Sequence, residues 1–163
     1  MRLVVADTSP LRYLVQIDQI ELLPQLFEKI FIPSVVYDEL CHPSAPEAVR
    51  NWMSSRPDWL EVSMVAASDD PSLRALDEGE KSAIALGLIL AADLILIDDR
   101  RGAAVAREKG FEVTGTLGIL DLSARRGMVG LADSLARLRK TNFRGRKELF
   151  DALIAQHERR GNT

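Results

Sequence analysis

Apolar residues run without alternation through residues 3–6 (LVVA) and 94–97 (LILI), and each run stops at an aspartate. Strands buried on both faces read this way, so both segments are expected inside a parallel sheet. Shorter runs at 30–32, 60–65 and 111–113 predict three more strands. Between them the apolar positions fall at helical spacing. Ser9 can cap a helix with Pro10 at its first position, where a missing N–H costs nothing, and Leu11, Leu14 and Val15 continue it. Leu22, Leu23 and Leu26 mark a second amphipathic piece, and Pro33-Ser34 start a helix through Val35, Val36 and Leu40. Residues 42–58 open with turn chemistry and contain a short helix, and 68–72 is a polar break holding Pro71. Helices are predicted over 78–92 and 101–109, the latter ended by Gly110, and after Gly115 over 117–125, 131–139 and 147–157. Strands alternating with helices argue for an α/β fold with a parallel sheet covered on both sides, followed by a helical C-terminal extension.

Composition changes this picture little. A length of 163 residues suits one domain, 47% hydrophobic residues supply a core and 28% charged residues supply a solvated surface. No charge-free apolar stretch has the roughly 18 to 20 residues of a membrane span. The longest candidate, 82–97, is broken at Asp93. Met1 and Arg2 run straight into a strand without a signal-peptide pattern, and Cys41 is the only cysteine. Both features point to a reducing cytoplasm. Charge is more informative. The net −3 hides 7 Lys/Arg against 17 Asp/Glu in residues 1–99 and 14 against 7 in residues 100–163. An acidic site beside a basic surface would produce that split.

Four acidic features stand out by position. Asp7 directly follows the first buried strand, and Asp98-Asp99 directly follow LILI. In an open parallel sheet such positions share the carboxyl edge, where ligands bind. Glu39 falls four residues after Val35 and three after Val36, on their apolar face, so its carboxylate needs a partner; Asp38 is less well aligned and reads as solvated. Glu80 precedes Ala83 and Ile84 on the packing side of its helix. It also has a plainer reading, because Asp77 three residues earlier could make it part of a capping box. Carboxylates gathered at one edge repel each other, and a hard divalent cation relieves that repulsion. Oxygen donors favour Mg²⁺ or Mn²⁺ over zinc, and two histidines with one cysteine make a zinc site improbable. The chemistry such a site supports is metal-assisted phosphodiester hydrolysis.

The segments DTSPL (7–11), VVYDEL (35–40), LDEGEKSAIALGL (76–88) and LILIDDRRG (94–102) occur in an order that resembles PIN-domain proteins. GEKSAIALGL, IDDRRG and VTGTLGIL (113–120) narrow the similarity to a prokaryotic PIN subgroup long labelled a domain of unknown function. The resemblance covers residues 2–127. It implies a three-layer α/β/α sandwich in a single domain over 1–163, with residues 128–163 as the helical extension. It also implies Mg²⁺- or Mn²⁺-dependent endoribonuclease activity, a toxin role in a toxin–antitoxin pair, a small antitoxin partner and a homodimer, with the first helix around Tyr13 and Leu14 as a contact. Carried over by position, Asp7, Glu39 and Glu80 are the first three acids, although many relatives have aspartate at the third. Asp99 is preferred as the fourth by its offset from the strand, with Asp98 behind it; an Asp98 pointing into the sheet would leave the fourth ligand missing. Thr8 or Ser9 supplies the accompanying hydroxyl.

Two other strand-plus-aspartate folds fit poorly. A haloacid-dehalogenase-like phosphatase expects a second aspartate where Ser9 stands, and a response-regulator receiver expects its acidic pair after the first strand. The alternative from another class is a non-catalytic nucleic-acid- or antitoxin-binding module that keeps the PIN fold. Arg100 and Arg101 directly follow the acids, where they could contact RNA phosphates or pair with the acids themselves. The basic run from Arg137 to Lys147 could track a nucleic-acid backbone or be a solvated face, and few aromatics accompany it. Trp52 and Trp59 read as core or dimer-contact residues.

Overall fold

The computed structural model describes residues 2–161. Within them, strands β1 (Val4–Ala6), β2 (Ile30–Pro33), β3 (Leu60–Ser63), β4 (Leu94–Leu96) and β5 (Glu112–Thr114) form one all-parallel sheet in the order β3-β2-β1-β4-β5. The connecting helices are α1 (Thr8–Gln16), α2 (Leu22–Phe27), α3 (Ser34–Cys41), α4 (Glu47–Ser54), α5 (Glu78–Leu90) and α6 (Arg100–Glu108). Helices α7 (Thr116–Arg125), α8 (Leu131–Arg139) and α9 (Lys147–Gly161) follow. Successive strand side chains point to opposite faces, yet Val4, Val5 and Ala6 are all 0% exposed. Both faces of the sheet are therefore covered, which is the α/β/α sandwich expected from the sequence. None of the described helices is long and apolar enough to cross a membrane.

Topology fixes where a site can form. The chain moves outward from β1 through β2 to β3, then returns to place β4 on the other side of β1. The strand order reverses between β1 and β4, and the crevice beyond their carboxyl ends is the usual ligand position in open α/β sheets. Asp7 ends β1 there, its N–H donating to Leu96 O at 2.9 Å, while Asp98 and Asp99 lie just past the end of β4.

Several boundaries differ from the sequence reading, each for a local reason. Helix α1 starts at Thr8, not at Ser9-Pro10, because Asp7 takes the N-cap conformation itself (φ −82°, ψ 174°). Pro10 becomes the third helical residue, still within the first turn whose N–H groups lack helical acceptors. Strand β5 begins one residue late because Phe111 N–H is drawn back to Ala106 O, closing the end of α6 around Gly110 (φ 95°). The polar break is partly ordered: Pro71–Leu73 forms a 3₁₀ turn capped by Asp70, whose carboxylate also pairs with Lys109. Leu73 and Leu76 anchor that segment in the core, so it delivers Asp77 to the start of α5 in a defined position. Leu14 is fully buried, which removes it from any dimer contact; Trp52 and Trp59 are half-buried and pack on each other with centroids 5.8 Å apart.

By its internal contacts the chain divides into two units, Met1–Thr116 and Leu117–Thr163. The sheet and all the acids discussed above belong to the first. In the second, Arg139 pairs with Asp151 at 3.6 Å and lies over the Phe150 ring, and Phe143 meets Phe150 edge-on.

Candidate metal centre

The site grows from the N-termini of three helices. A residue at Asp7's position would ordinarily turn its carboxylate onto the first turn of its helix, but Asp7 makes no such capping bond. The side chain is instead buried in the crevice, 6% exposed. Burial pushes its carboxyl up from an ordinary 3.8 to about 8; the Thr8 backbone N–H opposes this, and the charges of Asp77, Glu80 and Glu39 reinforce it.

Glu39 departs from the expected apolar face. The buried face of α3 is Val36 and Leu40, and Glu39 is exposed beside it. Its partner is Thr8, whose hydroxyl donates to Oε2. The carboxyl is still raised above its ordinary range, by partial burial first and by Asp77 as well, against the Thr8 hydrogen bond. Ser9 is half-buried at the second position of α1 and, among the described residues, has no hydrogen bond to an acid.

Gly79, at the second position of α5, shows how close these groups come. A Cβ built on Gly79 would sit 2.9 Å from Asp7 Oδ1 and 3.0 Å from both Glu39 carboxylate oxygens. Two carboxylates thus converge on a space that only glycine leaves open. Gly79→Ala should cost some stability and weaken divalent-cation stabilisation by about tenfold in apparent affinity or more, since exposed Glu39 can give way but buried Asp7, 2.9 Å from the new methyl, cannot move as easily. Thermal melts over a Mn²⁺ series would show it.

Glu80 is both a cap and a member of the cluster. Asp77 Oδ1 accepts from Glu80 N at 2.8 Å while Glu80 Oε2 accepts from Asp77 N at 3.2 Å, a complete capping box. Glu80 is nonetheless buried, and burial followed by the charges of Asp77 and Asp99 raises its carboxyl to about 7. Asp99 caps α6, accepting from Gly102 N at 2.8 Å. A Cβ on Gly102 would stand 3.5 Å from the Glu80 carboxyl carbon, so Glu80 and Asp99 meet at this one turn. Asp98 is not brought to the cluster: its oxygens accept from Thr116 N at 2.7 Å and Thr116 Oγ1 at 2.8 Å, and burial raises its carboxyl. It clamps the end of β4 to the start of α7. Asp98→Ala should therefore cost about 2–4 kcal/mol in denaturant unfolding by stranding buried Thr116, whereas Asp99→Ala should cost nearer 1 kcal/mol.

Asp77 is the residue that spacing alone did not single out as part of the site. Its charge is among the causes that raise Asp7, Glu39 and Glu80 alike, so it lies near all three. The sign was present in LDEGE, but the capping explanation satisfied the pattern. Arg100 and Arg101 occupy the first two positions of α6, exposed and, among the described residues, without an ion pair. Cations there oppose the helix dipole, an arrangement costing roughly 0.3–1 kcal/mol each without an anion to meet them.

Among the described residues, no three His, Cys, Asp or Glu side chains stand ready-made around a single ion. The donors nevertheless suit a hard divalent cation. They are oxygens only, burial reinforced by neighbouring carboxylates raises Asp7 and Glu80 well above the ordinary carboxylate range, and Asp7 and Glu39 face one space beside Gly79. Asp7, Glu39 and Glu80 are the side chains that would hold such an ion, with Asp77 and Asp99 adding negative charge alongside.

A family model described as a PIN domain matches residues 3–159. Neither a curated protein nor a solved structure matches the chain significantly.

Proposed function

The chain belongs to the PIN-domain family, whose members are generally nucleases that bind divalent metal ions, and we propose that it is a Mg²⁺- or Mn²⁺-dependent endoribonuclease. We further propose that it works in the cytoplasm as a homodimer and as the toxin half of a toxin–antitoxin pair, restrained by a small antitoxin. The observation that carries the catalytic reading is the convergence of Asp7 and Glu39 on the space beside Gly79, with Asp77 close enough to raise both carboxyls and Glu80 close enough to raise that of Asp7.

Each residue has a definable task. Asp7 is buried at the switch point and makes no side-chain capping bond, and one of its oxygens borders the space beside Gly79. Thr8 orients Glu39 by donating to it. Asp77 and Glu80 lock the start of α5, which holds Gly79 and its open space in place. Arg100 and Arg101 stand ready for phosphates on either side of the scissile bond. When bound, a divalent cation supplies phosphoryl polarisation and activation of the attacking water.

A circular RNA separates the possibilities. Incubated with purified protein and Mn²⁺, it should be linearised and then shortened, whereas single-stranded DNA of the same sequence should remain intact. Retention of RNA without cutting would instead favour the non-catalytic binding module, and cutting of linear RNA alone would mean an exonuclease.

A further inference from the structure

An open cavity of about 500 Å³ lies among α1, α3 and α4, and the acid cluster does not fill it. Its wall includes Thr8 and Glu39, so it opens onto the cluster. Val35, Leu40, Ala45, Pro46 and Val49 give it aliphatic surface. Asp38, Arg12, Ser44 and His42 give it polar groups of both signs. The turn after α3 that forms part of the wall is built rather than loose. Ser44 N donates to His42 Nδ1 at 3.0 Å, Ser44 Oγ lies 2.6 Å from the same nitrogen, and Ala45 N donates to His42 O at 2.9 Å.

We propose that this cavity is a nucleobase subsite that seats a base adjoining the scissile phosphate and prefers guanine. The inference rests on the reading of the acid cluster as an RNA-cleaving site. Its volume falls in the range of small-molecule pockets and is far larger than an ion needs. Aliphatic walls suit the two faces of a planar base. A carboxylate such as that of Asp38 accepts two parallel N–H bonds, and guanine is the one RNA base with two adjacent donors on one edge, N1–H and N2–H. Asp38 neighbours Glu39 along α3, so a base held by the first leaves its phosphate beside the second. Arg12 follows Thr8 by one turn on α1 and shares its face, where the sugar-phosphate would pass from cavity to cluster. A basic peptide side chain would also satisfy Asp38, but it would bring a second cation into the cavity that Arg12 lines, whereas guanine is uncharged.

Binding can be read without catalysis. Guanosine, adenosine, cytidine and uridine monophosphates are titrated into the metal-free protein while the backbone resonances of Ala45 and Val49 are followed. The guanosine nucleotide should saturate at least about tenfold more tightly than the other three. Ala45→Trp should fill the space and weaken all four at least about tenfold, and Asp38→Ala should abolish the guanine preference, with melts showing both variants folded. Equal affinity for all four, or binding untouched by Ala45→Trp, overturns the proposal. So does a failure of every nucleotide to shift these resonances while an arginine-containing peptide does, which would make the cavity a protein-docking site. Guanosine binding without any RNA cleavage would refute the nuclease reading alone. Cleavage with no base preference, indifferent to both variants, would refute the subsite alone.

Discussion

Replacing Asp7 by asparagine should raise the melting temperature of the metal-free protein at pH 8 by roughly 5 °C or more while removing its activity. The two effects share one cause. Asp7 is buried among Asp77, Glu80 and Glu39, so ionising it works against the fold, and burial with that company holds its carboxyl up at about 8. Each tenfold displacement of an ionisation equilibrium is about 1.4 kcal/mol. Even half of this displacement leaves more than about 2 kcal/mol to be gained by a neutral amide of the same shape. The same amide is a poor ligand for a hard cation. Cleavage should fall by roughly a thousandfold or more, and the stabilisation given by Mn²⁺ should vanish. A melting temperature that drops in Asp7→Asn would mean that the carboxylate is satisfied within the fold and the crowding argument is wrong.

The second large effect is the pH dependence of the metal-free protein. In the folded state Asp7 and Glu80 sit at about 8 and about 7, above their ordinary 3.8 and 4.5. Between those limits the folded chain holds protons that the unfolded chain releases, so stability falls as pH rises. Their contribution is complete below about pH 4 and is lost as pH climbs through 7 and 8. Asp70 acts oppositely at the acid end: hydrogen bonds from Lys109 and Ser72 hold it at about 2, so its contribution fades only as pH drops below the ordinary carboxylate range. The metal-free melting temperature should thus decline by several degrees or more from pH 5 to pH 9. Saturating Mn²⁺ should flatten that decline by displacing the protons, adding stability that grows with concentration over dissociation constant. A metal-free profile that stays level, or rises, from pH 5 to pH 9 would contradict the crowding of Asp7 and Glu80.

The parallel sheet was legible because its central strands are buried on both faces and therefore lack alternation, as LVVA and LILI do, and because each run is short and ends at a polar residue. Asp7 was legible for the same reason, as a charge ending such a run. Features set by competition between neighbouring groups were not. Nothing in DTSPL says that Asp7 would take the N-cap position yet make no side-chain capping bond, because that depends on the crevice it faces. Helical spacing placed Glu39 on the core side, whereas the core took Val36 and Leu40 and left Glu39 to Thr8, 31 residues away in the chain. Asp98 and Asp99 are adjacent with the same chemistry, and only the partners supplied by β5–α7 and by α6 assign one to a clamp and the other to a cap beside Glu80. Asp77 was hidden by its own success as a cap, which explained its presence before its neighbours were known.

The most direct test of the central claim, that these acids make a metal-dependent ribonuclease, is a cleavage time course on a mixed RNA pool. Wild-type protein with Mn²⁺, wild-type protein with a chelator and Asp7→Asn with Mn²⁺ are run side by side. The acid cluster predicts products in the first reaction only, with Asp7→Asn folded and melting higher than wild type in the absence of metal. Equal cleavage by Asp7→Asn, or no cleavage by folded wild-type protein at saturating Mn²⁺, would contradict it.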